Sequence, residues 1–330
     1  MSKCQSAGGS KNSASSLRRL APTCCVLAVT LGVYVKPAKA DDYRTYYSSL
    51  HAKEMTLNWP LFYETGERRT AEARRQYSHV LDLAYGKDVK QKLDLYLPRS
   101  RATRAPVLLF VHGGSFIEGD RQYYGYIASE YVRRGYVVAI MSYRLTGSGL
   151  HYPAQLDDVK AALRFLYRNV ARYGGDRDVL VVSGHSAGAI LAAEVGCDRS
   201  WMTAYGIPKN AIGAIIGVSG KYRLGPNEKL FPNYVPNDDL ALAASPIAHL
   251  DDPVPITLLA AGSVENSYFQ ASKDYDAALR VKGVASTMVE LPGFDHQQAV
   301  NAFADPASPL FQRALKILSS LKRPDRYSAK

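Results

Sequence analysis

Residues 181–190 read VVSGHSAGAI and place a serine between two glycines, where an apolar, β-branched run stops and an alanine-rich stretch begins. Glycines at positions 184 and 188 suit a sharp strand-to-helix turn, because a Cβ atom at either position would collide with the strand or the helix. Ser186 is then either an incidental residue of a structural turn or a nucleophile presented by strained backbone. Composition alone produces the pattern Gly-x-Ser-x-Gly about 0.1 times in a chain of this length. The motif alone is therefore weak evidence, but the strand before it and the helix after it favour a nucleophilic serine over an incidental turn residue.

Short apolar runs rich in β-branched residues recur on both sides of this turn. Four of them occupy residues 136–145, 178–184, 211–220 and 255–263. Their nearly continuous hydrophobicity is typical of parallel strands that are buried on both faces. Residues 155–173 separate the first two runs, and their apolar side chains recur at helical spacing. Strand and helix therefore alternate along the chain.

Four further strands complete the predicted sheet. Residues 78–86 and 91–98, joined by KDVK, are expected to form an antiparallel pair, and residues 105–114 follow as a third apolar run. The last strand is predicted over residues 286–293. The fold class is therefore α/β, with a mostly parallel, doubly wound sheet of about eight strands and helices on both faces. In such sheets the functional residues collect at the carboxyl ends of the strands.

The mature chain shows no internal repeat and no low-complexity linker, so residues 78–330 are predicted to form one domain. Residues 221–250 join two predicted strands by a route longer than a simple crossover helix needs, which indicates a cap-like insertion. Its aromatic residues Tyr222, Phe231 and Tyr234 are candidates either for a pocket wall or for packing the insertion onto the body.

A serine nucleophile needs a base and an orienting acid, and after a turn of this type they follow in the order acid, then histidine. Only His249 and His296 lie beyond Ser186 in the chain. His249 precedes the strand that begins near residue 255, which indicates a loop or surface position. His296 follows the predicted last strand and is the candidate base.

The candidate acid is Glu265, since it is the only carboxylate just beyond the strand that ends near Gly262. Asp295 adjoins His296, and neighbouring side chains seldom meet in the geometry that a triad requires. The alternative for Glu265 is a glutamate at a helix N-terminus that interacts with the helix dipole.

The sequence HGGSF, which follows the strand ending at Val111, predicts an oxyanion hole. Gly113 and Gly114 let the backbone turn its amides toward a substrate. The candidate donors are the amides of Gly114, Ser115 and Ala187, and their placement two strands away from the serine turn argues against ordinary turn chemistry.

From about Tyr85 to the C-terminus the chain resembles the α/β-hydrolase fold, in the esterase branch that includes hormone-sensitive-lipase-like carboxylesterases, feruloyl-esterase-like proteins and arylformamidases. The motifs that carry this resemblance are YGKDVKQKLDLYLP, VHGGSF, YRL followed by YPAQLDDVKAAL, YGGDRDVLVVSGHSAG and SPIAHL. The resemblance implies a triad of Ser186, Glu265 and His296, and hydrolysis through an acyl-enzyme without a metal or an organic cofactor.

Two residues depart from the lipase-like members, which usually carry a third glycine where Ser115 stands and an aspartate where Glu265 stands. The feruloyl-esterase-like and arylformamidase groups are therefore the nearer relatives, and long-chain lipase activity is disfavoured. We expect a serine carboxylesterase that cleaves small or aromatic acyl esters. The alternatives are an arylformamidase-type amidase that uses the same triad, and a non-catalytic hydrolase-fold binding module, although such modules typically lack a triad member.

The first forty residues indicate an export signal. Arg18 and Arg19 precede an apolar stretch over residues 24–35, and a small-residue pattern ends at Ala40. We expect cleavage after Ala40 and an exported protein, periplasmic or secreted, without stable membrane insertion. The alternative is an uncleaved anchor, although the apolar stretch is shorter than the roughly 20 residues that span a bilayer. Residues 41–77 are interpreted as an N-terminal extension that packs on the core.

The formal charge of +11 does not by itself indicate a nucleic-acid partner. Six of the 41 basic residues lie in the first forty positions, which contain no acid, so the remaining chain carries a formal charge of +5. A further basic group alternates with acids and indicates a solvated face, namely Arg68, Arg69, Arg74 and Arg75. Three of the four cysteines fall in the presumed signal, so Cys197 has no internal disulfide partner and is expected to be buried filler.

Overall fold

The computed structural model of the protein describes residues 57–99, 104–147, 149–225 and 233–321. Three parts of the sequence predictions lie outside these ranges, namely the signal peptide, residues 41–56 of the extension, and Phe231.

The strands of the described residues are β1 (Ser78–Ala84), β2 (Lys92–Leu97), β3 (Ala105–Val111), β4 (Val137–Met141), β5 (Gly175–His185), β6 (Ile212–Val218), β7 (Ile256–Gly262) and β8 (Ser286–Leu291). The α-helices of the same residues are α1 (Trp59–Gln76), α2 (Ala128–Arg133), α3 (Ala154–Asn169), α4 (Ala187–Cys197), α5 (Ser200–Ala204), α6 (Asp238–Ala243), α7 (Asn266–Val281), α8 (His296–Ala302) and α9 (Pro309–Ser320).

The eight strands form one sheet in the order β1-β2-β4-β3-β5-β6-β7-β8. Strand β2 is antiparallel to both of its neighbours, and every other neighbouring pair is parallel. The antiparallel pair β1-β2 follows from the tight turn between the two strands, in which the Tyr85 amide donates to the Gln91 carbonyl. The predicted fold class is confirmed, including the number of strands.

The sheet is buried on both faces, as β3 illustrates. The odd-numbered residues from 107 to 111 pack in one apolar cluster with Leu163 of α3 and Ile190 of α4. The even-numbered residues pack in a second cluster with Tyr131 of α2 and Phe311 of α9. Side chains alternate across a strand, so a parallel strand covered by helices on both sides is apolar throughout.

The described part of the N-terminal extension is helical and packs on the core. Helix α1 begins after Asn58, whose side chain accepts a hydrogen bond from the Leu61 amide at 3.2 Å. Trp59, Phe62 and Ala73 are buried along one face of the helix. This helix therefore belongs to the same folded body as the sheet.

Two arginines of α1 are partly exposed and also make tertiary contacts, which the solvated-face interpretation did not include. Arg69 donates to the Asn301 side chain at 2.9 Å and stacks on the Tyr126 ring. Arg74 pairs with the buried carboxylate of Asp94 at 3.0 Å. Both contacts join residues distant in sequence, and alternation of charge along a helix cannot reveal them. None of the helices in the described ranges has the length and apolar character needed to cross a membrane.

Candidate active site

Ser186 lies in the sharp turn between β5 and α4, as predicted. Its backbone adopts φ 54° and ψ −119°, a strained conformation for a residue with a side chain. The Ser186 amide donates to the Val218 carbonyl of β6 at 2.8 Å, which holds the turn in place. A Cβ atom added to Gly184 would stand 2.1 Å from the Gly188 carbonyl oxygen, and one added to Gly188 would stand 2.1 Å from the Val111 carbonyl oxygen. Both glycines are therefore required by backbone contact.

Glu265 and His296 meet in the interior, although 30 residues separate them in the chain. The Glu265 Oε2 atom lies 2.6 Å from His296 Nδ1, and both side chains are fully buried. The other carboxylate oxygen, Oε1, accepts hydrogen bonds from the Ser219 hydroxyl at 2.5 Å and the Gly262 amide at 2.6 Å. Glu265 precedes α7, but its side chain makes no capping bond to that helix. Its side chain instead contacts the imidazole of His296.

This contact fixes the orientation of the imidazole. With Nδ1–H donating to the carboxylate, Nε2 carries the lone pair of the neutral ring. His296 Nε2 and Ser186 Oγ are both buried, and neither forms a hydrogen bond with any described residue. The catalytic hydrogen bond of such a pair is often long before substrate binds. Among the described residues, no hydrogen bond competes for either atom.

The residue before the serine connects the turn to the candidate base. The His185 ring packs against the His296 ring with centroids 4.5 Å apart, and His185 Nε2 lies 3.0 Å from the His296 carbonyl oxygen. Burial lowers the pKa of His185 well below its ordinary value, and His296 lowers it further. A neutral His185 therefore donates from Nε2 to that carbonyl and fixes the start of α8 against the serine turn.

The loop after β3 lies directly against the serine. A Cβ atom on Gly113 would stand 3.0 Å from the Ser186 Cβ atom. The next three residues, Gly114, Ser115 and Phe116, all have positive φ angles of 119°, 50° and 64°. This run turns successive amides along the loop, and the Ala187 amide opens α4, where no intrahelical acceptor exists. The amides of Gly114, Ser115 and Ala187 stay the predicted oxyanion donors.

His112 stabilises this loop through contacts of its ring. Its ring stacks on Tyr143 with centroids 4.3 Å apart, and its Nδ1 atom lies 2.7 Å from the Gly113 carbonyl oxygen. Burial lowers the pKa of His112 to about 4, so the neutral ring donates from Nδ1 to that carbonyl. The Tyr143 hydroxyl donates to the His112 carbonyl at 3.1 Å. His112 therefore positions the loop. In the sequence, its place directly before two glycines is the feature that could have indicated this role.

Two aromatic residues that sequence reasoning did not assign flank the candidate base. The Tyr268 ring lies 4.4 Å from the His296 ring, and Trp59 of α1 presents its edge at 6.3 Å. The ammonium of Lys221 lies 5.4 Å from the Tyr268 centroid. Tyr268 is one helical turn into α7 after Glu265, and this spacing could have identified it. Trp59 lies too far away in sequence for any local signal.

The described aromatic residues of the cap-like insertion are interior packing groups. Tyr234 stacks on Phe116 with centroids 3.6 Å apart and donates its hydroxyl to Glu194 at 3.0 Å. Tyr222 stacks on Tyr275 with centroids 4.3 Å apart. Tyr234 therefore braces the candidate oxyanion loop through Phe116.

The structure also places three residues that the sequence analysis did not assign to the triad, namely His249, Asp295 and Cys197. His249 is exposed. Asp295 caps helix α8 through hydrogen bonds from the amides of Gln297 and Gln298. Cys197 is buried against the Tyr275 hydroxyl, and burial raises the pKa of its thiol to about 12. Within the described ranges, no three side chains of histidine, cysteine, aspartate or glutamate gather closely enough to hold a metal ion.

The sequence pattern of the family described as BD-FAE matches residues 93–274, which is more than half of the chain. The chain belongs to the BD-FAE family. The match includes the candidate oxyanion loop, the serine turn and Glu265, and His296 lies beyond its end.

Individual proteins agree with this assignment. Esterase LipC of Mycobacterium tuberculosis is 28% identical over 268 residues, which cover 74% of this chain and 66% of LipC. The chain thus spans slightly less than two thirds of the length of that relative. A kynurenine formamidase of Danio rerio is 27% identical over 259 residues, covering 76% of this chain and 85% of the formamidase. The crystal structure of esterase B from Lactobacillus rhamnosis has a TM-score of 0.65 and 20% identity, covering 85% of this chain and 95% of that one. This likeness shows the α/β-hydrolase fold.

Proposed function

We propose that this protein is a serine carboxylesterase that cleaves small or aromatic acyl esters through an acyl-enzyme. One observation carries the proposal, namely the 2.6 Å contact that commits His296 Nδ1 to Glu265 and leaves Nε2 as a base beside the serine turn. A triad of this kind makes a serine hydroxyl nucleophilic on many unrelated folds.

Acylation begins when Ser186 Oγ attacks the ester carbonyl carbon and its proton passes to His296 Nε2. The carbonyl oxygen becomes an oxyanion, which the amides of Gly114, Ser115 and Ala187 stabilise. Collapse of this intermediate breaks the ester bond, and the protonated imidazole gives its proton to the leaving alcohol. Glu265 stabilises the imidazolium throughout without taking its proton.

Deacylation repeats these steps with water. His296 Nε2 removes a proton from water as the oxygen attacks the acyl carbon, and the carboxylic acid leaves as Ser186 regains its proton. The Trp59 and Tyr268 rings lie beside the imidazole, and aromatic surroundings of this kind suit short or aromatic acyl groups.

Hydrolysis of p-nitrophenyl acetate by the purified protein and by Ser186→Ala tests this proposal. We expect release of p-nitrophenol by the wild type and near-background release by the variant. Equal rates would remove the enzyme hypothesis and would favour a non-catalytic binding module. The complete set of Ser186, Glu265 and His296 argues against that module.

A formamidase is the second candidate, because the kynurenine formamidase relative aligns over 85% of its own length. The same triad would attack the carbonyl of an N-formyl group and release an amine. Offering N-formylkynurenine beside the ester series separates the two activities. Efficient cleavage of the formyl compound with negligible ester turnover would reverse this ranking.

We also propose that the protein is exported after cleavage behind Ala40 and acts on a small-molecule ester, with no nucleic-acid partner. The support is the arrangement of Arg18, Arg19 and the apolar stretch over residues 24–35. N-terminal sequencing of the protein recovered outside the cytoplasm tests this, and an intact N-terminus on protein confined to the cytoplasm would contradict it.

A further inference from the structure

Glu118 is carried by the candidate oxyanion loop itself. Its amide donates to the Gly114 carbonyl at 3.0 Å, as does the Ile117 amide at 2.9 Å. The Glu118 Cγ atom lies 2.9 Å from the position that a Cβ atom on Gly114 would occupy. The carboxyl group therefore belongs to the same short segment whose amides are the predicted oxyanion donors.

The surroundings of this carboxyl group lead to the catalytic imidazole. Tyr63 of α1 contacts Glu118, and its ring packs between Tyr123 at 4.7 Å and Trp59 at 5.7 Å. Trp59 in turn presents its edge to His296. Glu118 and His296 thus contact different members of one aromatic cluster, formed by Trp59, Tyr63 and Tyr123.

The carboxyl group is incompletely satisfied. Its Oε1 atom is buried and has no hydrogen-bond partner among the described residues, and no arginine or lysine of those residues forms an ion pair with it. Burial raises the pKa of Glu118 to about 7, and contact with Tyr63 offsets this in part. A buried carboxyl oxygen without a donor is destabilising. The proposed triad mechanism does not involve Glu118.

We propose that Glu118 is a specificity-determining residue whose carboxyl group accepts a hydrogen bond from a hydroxyl or ammonium group of the ester substrate. The inference rests on the proposed esterase function. The unpartnered oxygen supplies the acceptor, and its burial excludes water, which strengthens a charge-assisted hydrogen bond. A substrate with such a donor completes the set of contacts that the folded chain leaves open.

The test compares esters that differ only in the donor. On the acyl side, the p-nitrophenyl esters of propanoate, β-hydroxypropanoate and β-alanine are compared. On the alcohol side, propyl acetate is compared with propanediol monoacetate. The readout is the kcat/KM of each donor-bearing ester divided by that of its plain counterpart, for the wild type, Glu118→Gln and Glu118→Leu. Glu64→Gln, an exposed position on α1 next to Tyr63, is the matched control.

We expect the wild type to prefer a donor-bearing ester in one of the series by roughly 10- to 100-fold, which corresponds to one hydrogen bond to a charged group. Glu118→Leu loses this preference, and Glu64→Gln keeps it. Glutamine retains an acceptor without the charge, so Glu118→Gln keeps part of a preference for hydroxyl and loses a preference for ammonium. This difference identifies the donor.

Two results overturn the inference, namely no preference in the wild type, or an unchanged preference in both Glu118 variants. If the leucine variant does not fold, as judged by thermal unfolding, the isosteric glutamine variant decides alone. Turnover of the plain propanoate ester separates these outcomes from failure of the esterase proposal. If the protein is not an esterase, it hydrolyses none of the esters.

Discussion

Ser219 and Gly262 both donate to the Glu265 oxygen that does not contact His296, at 2.5 Å and 2.6 Å. Because the two carboxylate oxygens have different partners, the orientation of the Glu265 side chain is fixed. One oxygen is saturated by donors at the ends of β6 and β7, and the other remains for the imidazole.

Glu265→Gln is expected to reduce kcat by roughly 10⁴-fold, the scale seen when a triad acid becomes an amide. Ser219 and Gly262 are donors, so they retain the amide oxygen and turn the NH₂ group toward His296 Nδ1. That nitrogen must then accept a hydrogen bond, which places the ring proton on Nε2 and removes the base. Steady-state kinetics on p-nitrophenyl acetate measure the loss, and thermal unfolding checks the fold. A variant with nearly full activity would contradict this role.

Ser219→Ala is expected to lower kcat about tenfold with little change in KM, because it removes one of the donors that hold the Glu265 carboxylate. The comparison variant is Ser200→Ala, at an exposed position. Equal kcat values for the two variants would show that the Gly262 amide alone suffices to orient the acid.

Gly184→Ala is expected to lower the free energy of unfolding by about 3 kcal/mol or to prevent folding, since overpacking against rigid backbone cannot be relieved by side-chain motion. The new Cβ atom would meet the Gly188 carbonyl oxygen at 2.1 Å. Gly225→Ala is the control, because its Cβ atom would meet no atom of the described residues within 4 Å. Urea unfolding of both variants measures the difference, and similar midpoints would contradict the contact.

The pH dependence of kcat/KM is expected to show the ionisation of the Glu118 carboxyl group. Its pKa is raised to about 7, so the carboxyl group is neutral below that pH and becomes negative above it. A negative charge beside Gly114 disfavours the oxyanion, so kcat/KM for p-nitrophenyl acetate should fall above about pH 7 in the wild type. Tyr63 of α1 is the titratable side chain that contacts this carboxyl group.

Glu118→Gln cannot ionise and should therefore keep its activity profile level above that pH. The ratio of variant to wild-type kcat/KM should rise as the pH increases. Parallel profiles for the two proteins would show that the Glu118 charge does not reach the reacting atoms.

Much of this site could be predicted from the sequence because its parts sit at strand ends. Ser186, Glu265 and His296 follow β5, β7 and β8, and each strand is marked by a short apolar run. In a parallel sheet those ends share one edge, so the order of runs along the chain already predicts which residues converge.

Other contacts were decided by the tertiary structure alone. Trp59 lies beside His296 from more than 200 positions away in the chain, and Arg69 and Arg74 of the same helix make partly buried contacts with residues distant in sequence. The hydrogen bond from Ser219 to Glu265 and the unpartnered oxygen of Glu118 likewise depend on how separate elements pack. Local periodicity and turn chemistry specify each strand, helix and tight turn. Which side chains meet across them depends on burial and backbone geometry, and these exist only in the folded chain.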